Sequence, residues 1–149
     1  KCRSKLECVD FCETAWACKD AYNVVNCQFA LQYAFVSENV AHFVIEQVAE
    51  SLKTGGVFIG SVPVHPESGP FEKIEISLPG YEKQRCIEYS APRANVSAIC
   101  SNYGLKEVLW VGFDEYYATQ REKSEKLVKR MRAFAAPISQ NAVFVYVKL

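Results

Sequence analysis

A chain of 149 residues, half of them hydrophobic, has room for one domain with a sizeable core. Its 17 basic and 17 acidic side chains cancel, so the chain as a whole carries no electrostatic footprint for a nucleic-acid backbone. The local exception is residues 121–132, where Arg121, Lys123, Lys126, Lys129, Arg130 and Arg132 face only Glu122 and Glu125. No apolar run approaches membrane-spanning length, and the charged amino end (KCRSKLEC) does not read as a signal. The seven cysteines are an odd number and lack zinc-ligand spacing, while His42 and His65 lie far from them in sequence. They read as reduced thiols of an intracellular protein.

Taken in order, strands and helices alternate. Residues 6–11 (LECVDF) look like a strand ending on Asp10, followed by a short helix or loop over 12–21. Residues 22–26 form a buried β-branched and aromatic strand. Residues 37–52 are the clearest helix, with Ser37 as N-cap and Glu38 suited to the positive end of its dipole. Val40, Val44 and Val48, flanked by Phe43, Ile45 and Leu52, give it an apolar face; Glu38, His42, Glu46 and Glu50 share the opposite, solvated one. Thr54-Gly55-Gly56 should stop this helix, and residues 57–62 (VFIGSV) return as a strand, the second half of a β-α-β unit whose sheet should be parallel. Residues 64–70 are a loop by their Pro and Gly content. Residues 72–78 and 85–89 pair across a Pro79-Gly80 turn. Residues 93–103 form a helix stopped by Gly104, and 105–113 a strand. Residues 120–134 form a basic helix with Leu127, Val128 and Met131 inward, and 142–148 alternate as the last strand.

The stretch 26–35 (NCQFALQYAF) falls between a strand and the next helix. In open α/β sheets that carboxyl rim is where ligands bind. Aromatic rings with amides between them suit a flat polar heterocycle, although the same composition also describes an aromatic core corner with two surface glutamines.

The pieces YNVVNCQFALQYAF, LKTGGVFIGSVP, CIEY, GFDEYY and LVKRM, after Asp10 at a strand end, resemble the messenger-RNA cap guanine-N7 methyltransferases. The glycine-glycine piece is shared widely among methyltransferases; the Gln-Phe-x-x-x-Tyr-x-Phe cluster with the downstream glutamate is more specific. The resemblance implies an α/β, Rossmann-like class I methyltransferase sheet with helices on both faces and S-adenosylmethionine as cofactor. It implies that Asp10 accepts the adenine amino group and that Gln28 meets the methionine end. A surface turn acid is the alternative for Asp10. On the substrate side it implies Gln32, Tyr33 and Glu88, with Glu88 reading guanine. The chemistry suits a carboxylate, since guanine offers an N1 hydrogen and an exocyclic amine on one edge and a carboxylate accepts both. Phe29 and Phe35 are read as packing.

Three departures stand out. Gln32 occupies a place where most of the family has histidine, Ala142 and Val143 stand near the family's usual tyrosine, and the segments around 63–72 and 78–85 are short. The glycine-rich turn and the ribose-holding acid of the first two strands are also missing. The expectation is therefore the carboxyl-terminal part of a single methyltransferase domain, residues 1–149, lacking its first two strands. The implied partners are the capped 5′ end of RNA and other capping enzymes, with no membrane, in the nucleus, or in the cytoplasm for a virus. Because guanine N7 carries a free lone pair, no catalytic acid, base or metal is expected; orientation does the chemistry. The alternatives are a class I methyltransferase for a small molecule and a non-catalytic remnant that binds a nucleotide or partner.

Overall fold

The computed structural model describes residues 7–77, 85–126, 129 and 140–149. In chain order these form β1 (Tyr22–Gln28), α1 (Leu31–Ala34), α2 (Glu38–Ser51), β2 (Leu52–Pro63), β3 (Lys73–Ser77) and β4 (Arg85–Tyr89). Then come α3 (Arg93–Asn102), β5 (Leu105–Gly112), α4 (Phe113–Lys123) and β6 (Asn141–Lys148). The main sheet runs β1-β2-β6-β5, and β3 pairs with β4 in a separate ribbon. β1 and β2 are parallel across the α1–α2 crossover, as the β-α-β reading requires. β6 is antiparallel to both β2 and β5, so the sheet is mixed.

α2 begins as its sequence dictates. Ser37 is extended and its hydroxyl accepts the Val40 N–H at 3.4 Å, with Glu38 in the first turn. Ala41, Val44, Ile45 and Val48 are buried. His42 is half-buried rather than solvated, because its Nδ1 lies 3.1 Å from the Tyr103 hydroxyl at the end of α3. The glycine pair is not the helix stop. The chain passes from Ser51 directly into β2, and the residues between Leu52 and Val57 crowd opposite Asn23 alone. That bulge is possible because Gly55 takes a φ of 77°.

Phe58, Val62, Ala142, Phe144 and Tyr146 share one face of the sheet, and all but Ala142 belong to a single core with Val44 and Val48 of α2 and Val96 and Ile99 of α3. Ile59, Val143, Val145 and Val147, the alternate positions, are half-buried on the other face. Gly60 has no room for a side chain. A Cβ there would sit 2.1 Å from the Cys27 carbonyl oxygen and 2.4 Å from Cζ of Phe144.

Of the strand expected over residues 6–11, the described residues 7–11 form none. Residues 7–10 make no ladder and residues 11–13 turn. Asp10 Oδ1 accepts the Cys12 N–H at 2.9 Å, and the Asp10 carbonyl accepts from Glu13 and Thr14. An aspartate bonded to its own downstream amide pulls the chain out of extended geometry. Residues 11–21 continue as a strap hung on α2. Gln47 Oε1 accepts the N–H of Trp16 at 3.0 Å and of Ala17 at 2.9 Å, and Ser51 Oγ accepts that of Cys18 at 3.3 Å. The basic helix also starts earlier than residue 120. α4 opens at Phe113 behind Gly112, with Asp114 and Glu115 in its first turn, which shortens β5 accordingly. Leu6, the Pro79-Gly80 turn, and Leu127, Val128 and Met131 lie outside the described residues.

Candidate functional site

Two clusters flank the carboxyl end of β1. The first depends on a turn. Phe29, immediately after β1, takes a φ of 50°, a left-handed conformation rare for an aromatic residue and a form of local strain. The turn sends the Phe29 ring outward, 45 % exposed and edge-on to Phe113 at 5.8 Å. Phe35, by contrast, is buried and stacked on Phe71 at 5.5 Å. So Phe35 packs in the core, and Phe29 packs at the surface against Phe113.

The same turn drops Gln32 inward, where it is 1 % exposed. Its Nε2 donates to the Phe29 carbonyl oxygen at 3.0 Å and to Glu88 Oε1 at 3.2 Å. One amide therefore staples the strained turn to β4. Glu88, 8 % exposed, arrives on β4 opposite Ile74 of β3. Tyr33 stands beside it, 41 % exposed, and partial burial, then the charges of Glu88 and Cys86, hold its phenol above the usual range. The structure thus brings Gln32, Tyr33 and Glu88 together. It adds a residue that sequence reasoning missed: His65, in the loop after β2, places Nε2 3.9 Å from Glu88 Oε2. The signal available was its place just past a strand end, at the rim.

Two buried polar atoms at this cluster have no hydrogen-bond partner among the described residues, Gln32 Oε1 and His65 Nε2. Each such atom costs about 1–3 kcal/mol. Native folds rarely keep them unless something else meets them.

The second cluster lies toward α2. A cavity of about 420 Å³ is walled by Phe11, Trp16, Val25 and Leu31, with Asn26 and Gln28 as its polar edge. Gln28 is exposed and its amide is engaged: Oε1 accepts the Ser61 hydroxyl at 2.6 Å and Nε2 donates to Asn26 Oδ1 at 2.7 Å. Asp10 is exposed on its turn, next to the Phe11 wall rather than at a strand end. The described cysteines are unpaired. Burial pushes the Cys27 thiol up to about 11 and the Cys100 thiol up to about 12, so neither is a ready nucleophile at neutral pH.

Comparisons with known proteins match part of this region. Residues 5–69 match the model of the mRNA (guanine-N(7))-methyltransferase domain. Over that stretch the chain is similar to the mRNA cap guanine-N7 methyltransferases. The mRNA cap guanine-N(7) methyltransferase of Caenorhabditis elegans is 49% identical over 45 residues, 30% of this chain and 12% of that relative. The protein of the same description from Saccharomyces cerevisiae is 44% identical over 46 residues, 31% of this chain and 11% of its own length. This family stretch contains Asp10, Gln28, Gln32, Tyr33 and His65. Glu88 lies beyond it and joins the site by geometry.

Solved structures extend the likeness to the fold. A SAM-dependent methyltransferase from Methanosarcina mazei superimposes with a TM-score of 0.64 at 9% identity, covering 95% of this chain and 65% of that one. An S-adenosylmethionine-dependent methyltransferase from Clostridium acetobutylicum gives 0.60 at 11% identity, covering 98% and 65%. The fold is the Rossmann-like fold of class I methyltransferases. Fold alone does not name a substrate.

Proposed function

We propose that this rim holds the guanine of an RNA 5′ cap against S-adenosylmethionine for methyl transfer to N7, within the nucleus or wherever capping takes place. The observation that carries the reading is Glu88, a buried carboxylate fixed by Gln32 and flanked by Tyr33 and His65. The apolar slot walled by Phe11, Trp16 and Leu31 suits an adenine ring, and Asn26 and Gln28 supply polar groups at its edge, with Asp10 next to the Phe11 wall. When bound, S-adenosylmethionine supplies an activated methyl group.

The protein's own contribution is orientation. Glu88 accepts the N1 and amine hydrogens of guanine, which fixes the base in its plane. Gln32 holds that carboxylate at its angle, and Tyr33 borders the path between base and cofactor slot. Because N7 already presents a lone pair, no side chain has to take a proton. Holding the reactants in line in a fixed electrostatic setting is what remains to be done.

Glu88→Gln tests this in the full protein. The amide keeps the shape but turns one acceptor into a donor that faces a guanine hydrogen. Methylation efficiency on RNA with a guanosine cap should fall at least on the order of tenfold, about 1.4 kcal/mol, with cofactor affinity unchanged. A cap with inosine, which lacks the exocyclic amine, should cost the wild type more than the variant. Full activity in Glu88→Gln, or equal inosine losses, sinks the guanine reading and favours a small-molecule methyltransferase.

A further inference from the structure

His65 is a half-buried imidazole whose Nε2 is itself buried and has no hydrogen-bond partner among the described residues. That nitrogen lies 3.9 Å from Glu88 Oε2, beyond hydrogen-bond reach. The ring is nevertheless well placed. The His65 carbonyl accepts the Ser68 N–H at 3.1 Å, Val64 N–H donates to the Gln140 carbonyl at 2.6 Å, and Phe71 N–H donates to the Ser90 carbonyl at 3.0 Å. The loop is pinned on both sides of the histidine, which argues against an idle side chain that has settled at random.

The carboxylate also selects the tautomer. With the proton on Nδ1, the Nε2 lone pair would face the negative charge of Glu88; with the proton on Nε2, a donor faces it instead. The cluster then presents, side by side, an acceptor pair and a donor. Guanine presents the complement along one edge: the amine, N1–H, and then the O6 acceptor. Adenine inverts this pattern at both N1 and its amino group.

We propose that His65 is a specificity-determining residue that donates its Nε2–H to O6 of the guanine whose N1 and amine hydrogens Glu88 accepts. This rests on the guanine reading of Glu88. It completes the readout of the base from two elements, with the carboxylate on β4 and the imidazole on the loop after β2.

The test is a titration of the full protein with the dinucleotide GpppA, its 6-thioguanosine form, its inosine form, and ApppA, for wild type, His65→Ala and His65→Gln. Sulfur at position 6 is a weaker acceptor and leaves N1–H and the amine intact. GpppA affinity should fall about tenfold in His65→Ala, the loss of one buried hydrogen bond. His65→Gln should recover part of this through its amide N–H, a rescue that a purely structural role would not give. The 6-thio change should cost the wild type several-fold and His65→Ala little, while the inosine change costs both equally. Equal 6-thio losses in wild type and His65→Ala, or unchanged GpppA affinity in a folded His65→Ala, overturns the role of His65 alone. A wild type that binds GpppA no better than ApppA overturns the guanine reading, and the role of His65 with it.

Discussion

The two sides of this rim are built on opposite terms. On the side toward α2, the polar groups are exposed or already partnered: Gln28 bonds Ser61 and Asn26, Asp10 bonds the Cys12 amide, and the cavity wall is mostly apolar. On the side toward β4, a carboxylate is buried and two neighbouring polar atoms have no partner. The first arrangement costs the free protein little and binds by shape and apolar contact. The second costs stability before any ligand arrives, and the return is discrimination, because a wrong edge leaves the same groups unpaired.

The largest expected effect removes both sides at once. Gly60 underlies their junction, where the Cys27 carbonyl and the Phe144 ring close over it. Gly60→Ala should cost about 3 kcal/mol through overpacking, visible as a fall in melting temperature of several degrees. An unchanged melt would mean that β1 and β2 are not held this closely.

Gln32→Ala breaks only the β4 side. It deletes the bonds to Phe29 and Glu88, leaving a buried carboxylate oxygen without its donor, at about 2 kcal/mol. Selectivity for guanine over inosine caps should fall while cofactor affinity stays, as read by calorimetry on both ligands. A parallel loss of cofactor affinity would show that the two sides are not separate.

Asp10→Ala sharpens the contrast from the other side. The carboxylate is exposed and bonded to its own turn, so cofactor affinity should drop by about 1 kcal/mol or less. A loss of several kcal/mol in the same titration would place Asp10 inside the slot after all.

The smallest effect serves as a control remote from the rim. Hydrogen bonds from Arg93, and then from Ser97 and Tyr146, hold the Glu107 carboxyl below its usual range despite an opposing burial effect. A depressed folded-state value stabilises above the unfolded carboxylate range, and that contribution is lost as pH falls through the folded value. Arg93 is exposed, so solvent screening keeps it small. Glu107→Gln should flatten the acid limb of stability against pH without moving ligand affinity; an unaltered limb would deny the pair any role.

Which parts of this were legible in the sequence follows from how local their causes are. α2 was readable because its cap, dipole acid and apolar spacing all lie within the helix itself. Gln32, Tyr33 and Glu88 were readable through the resemblance, and the fold brings them together. The strand at residues 6–11 misled because an apolar run says nothing of whether a neighbour exists to pair with. Its fate was decided by the Asp10 turn and by Gln47 and Ser51, some thirty residues away in sequence. The turn at Phe29 was not legible because a left-handed φ is ordinarily announced by glycine or asparagine. His65 went unnoticed because a loop residue gains its neighbours only when the loop is pinned, here by backbone bonds to Gln140 and Ser90.

The strap over residues 11–21 has a consequence for timing. Phe11 and Trp16 wall one side of the α2 cavity, yet the amides of Trp16, Ala17 and Cys18 hang on side chains of a helix and belong to no ladder. Such bonds open without unfolding the sheet, so that wall belongs to the low-energy end of local opening while β1 and β2 belong to the high end. Amide exchange at Trp16 and Ala17 then runs on its own clock, faster than at Phe58 or Phe144. A molecule entering the slot past Phe11 and Trp16 would then meet this readily opened wall, and not the ladder of β1 and β2.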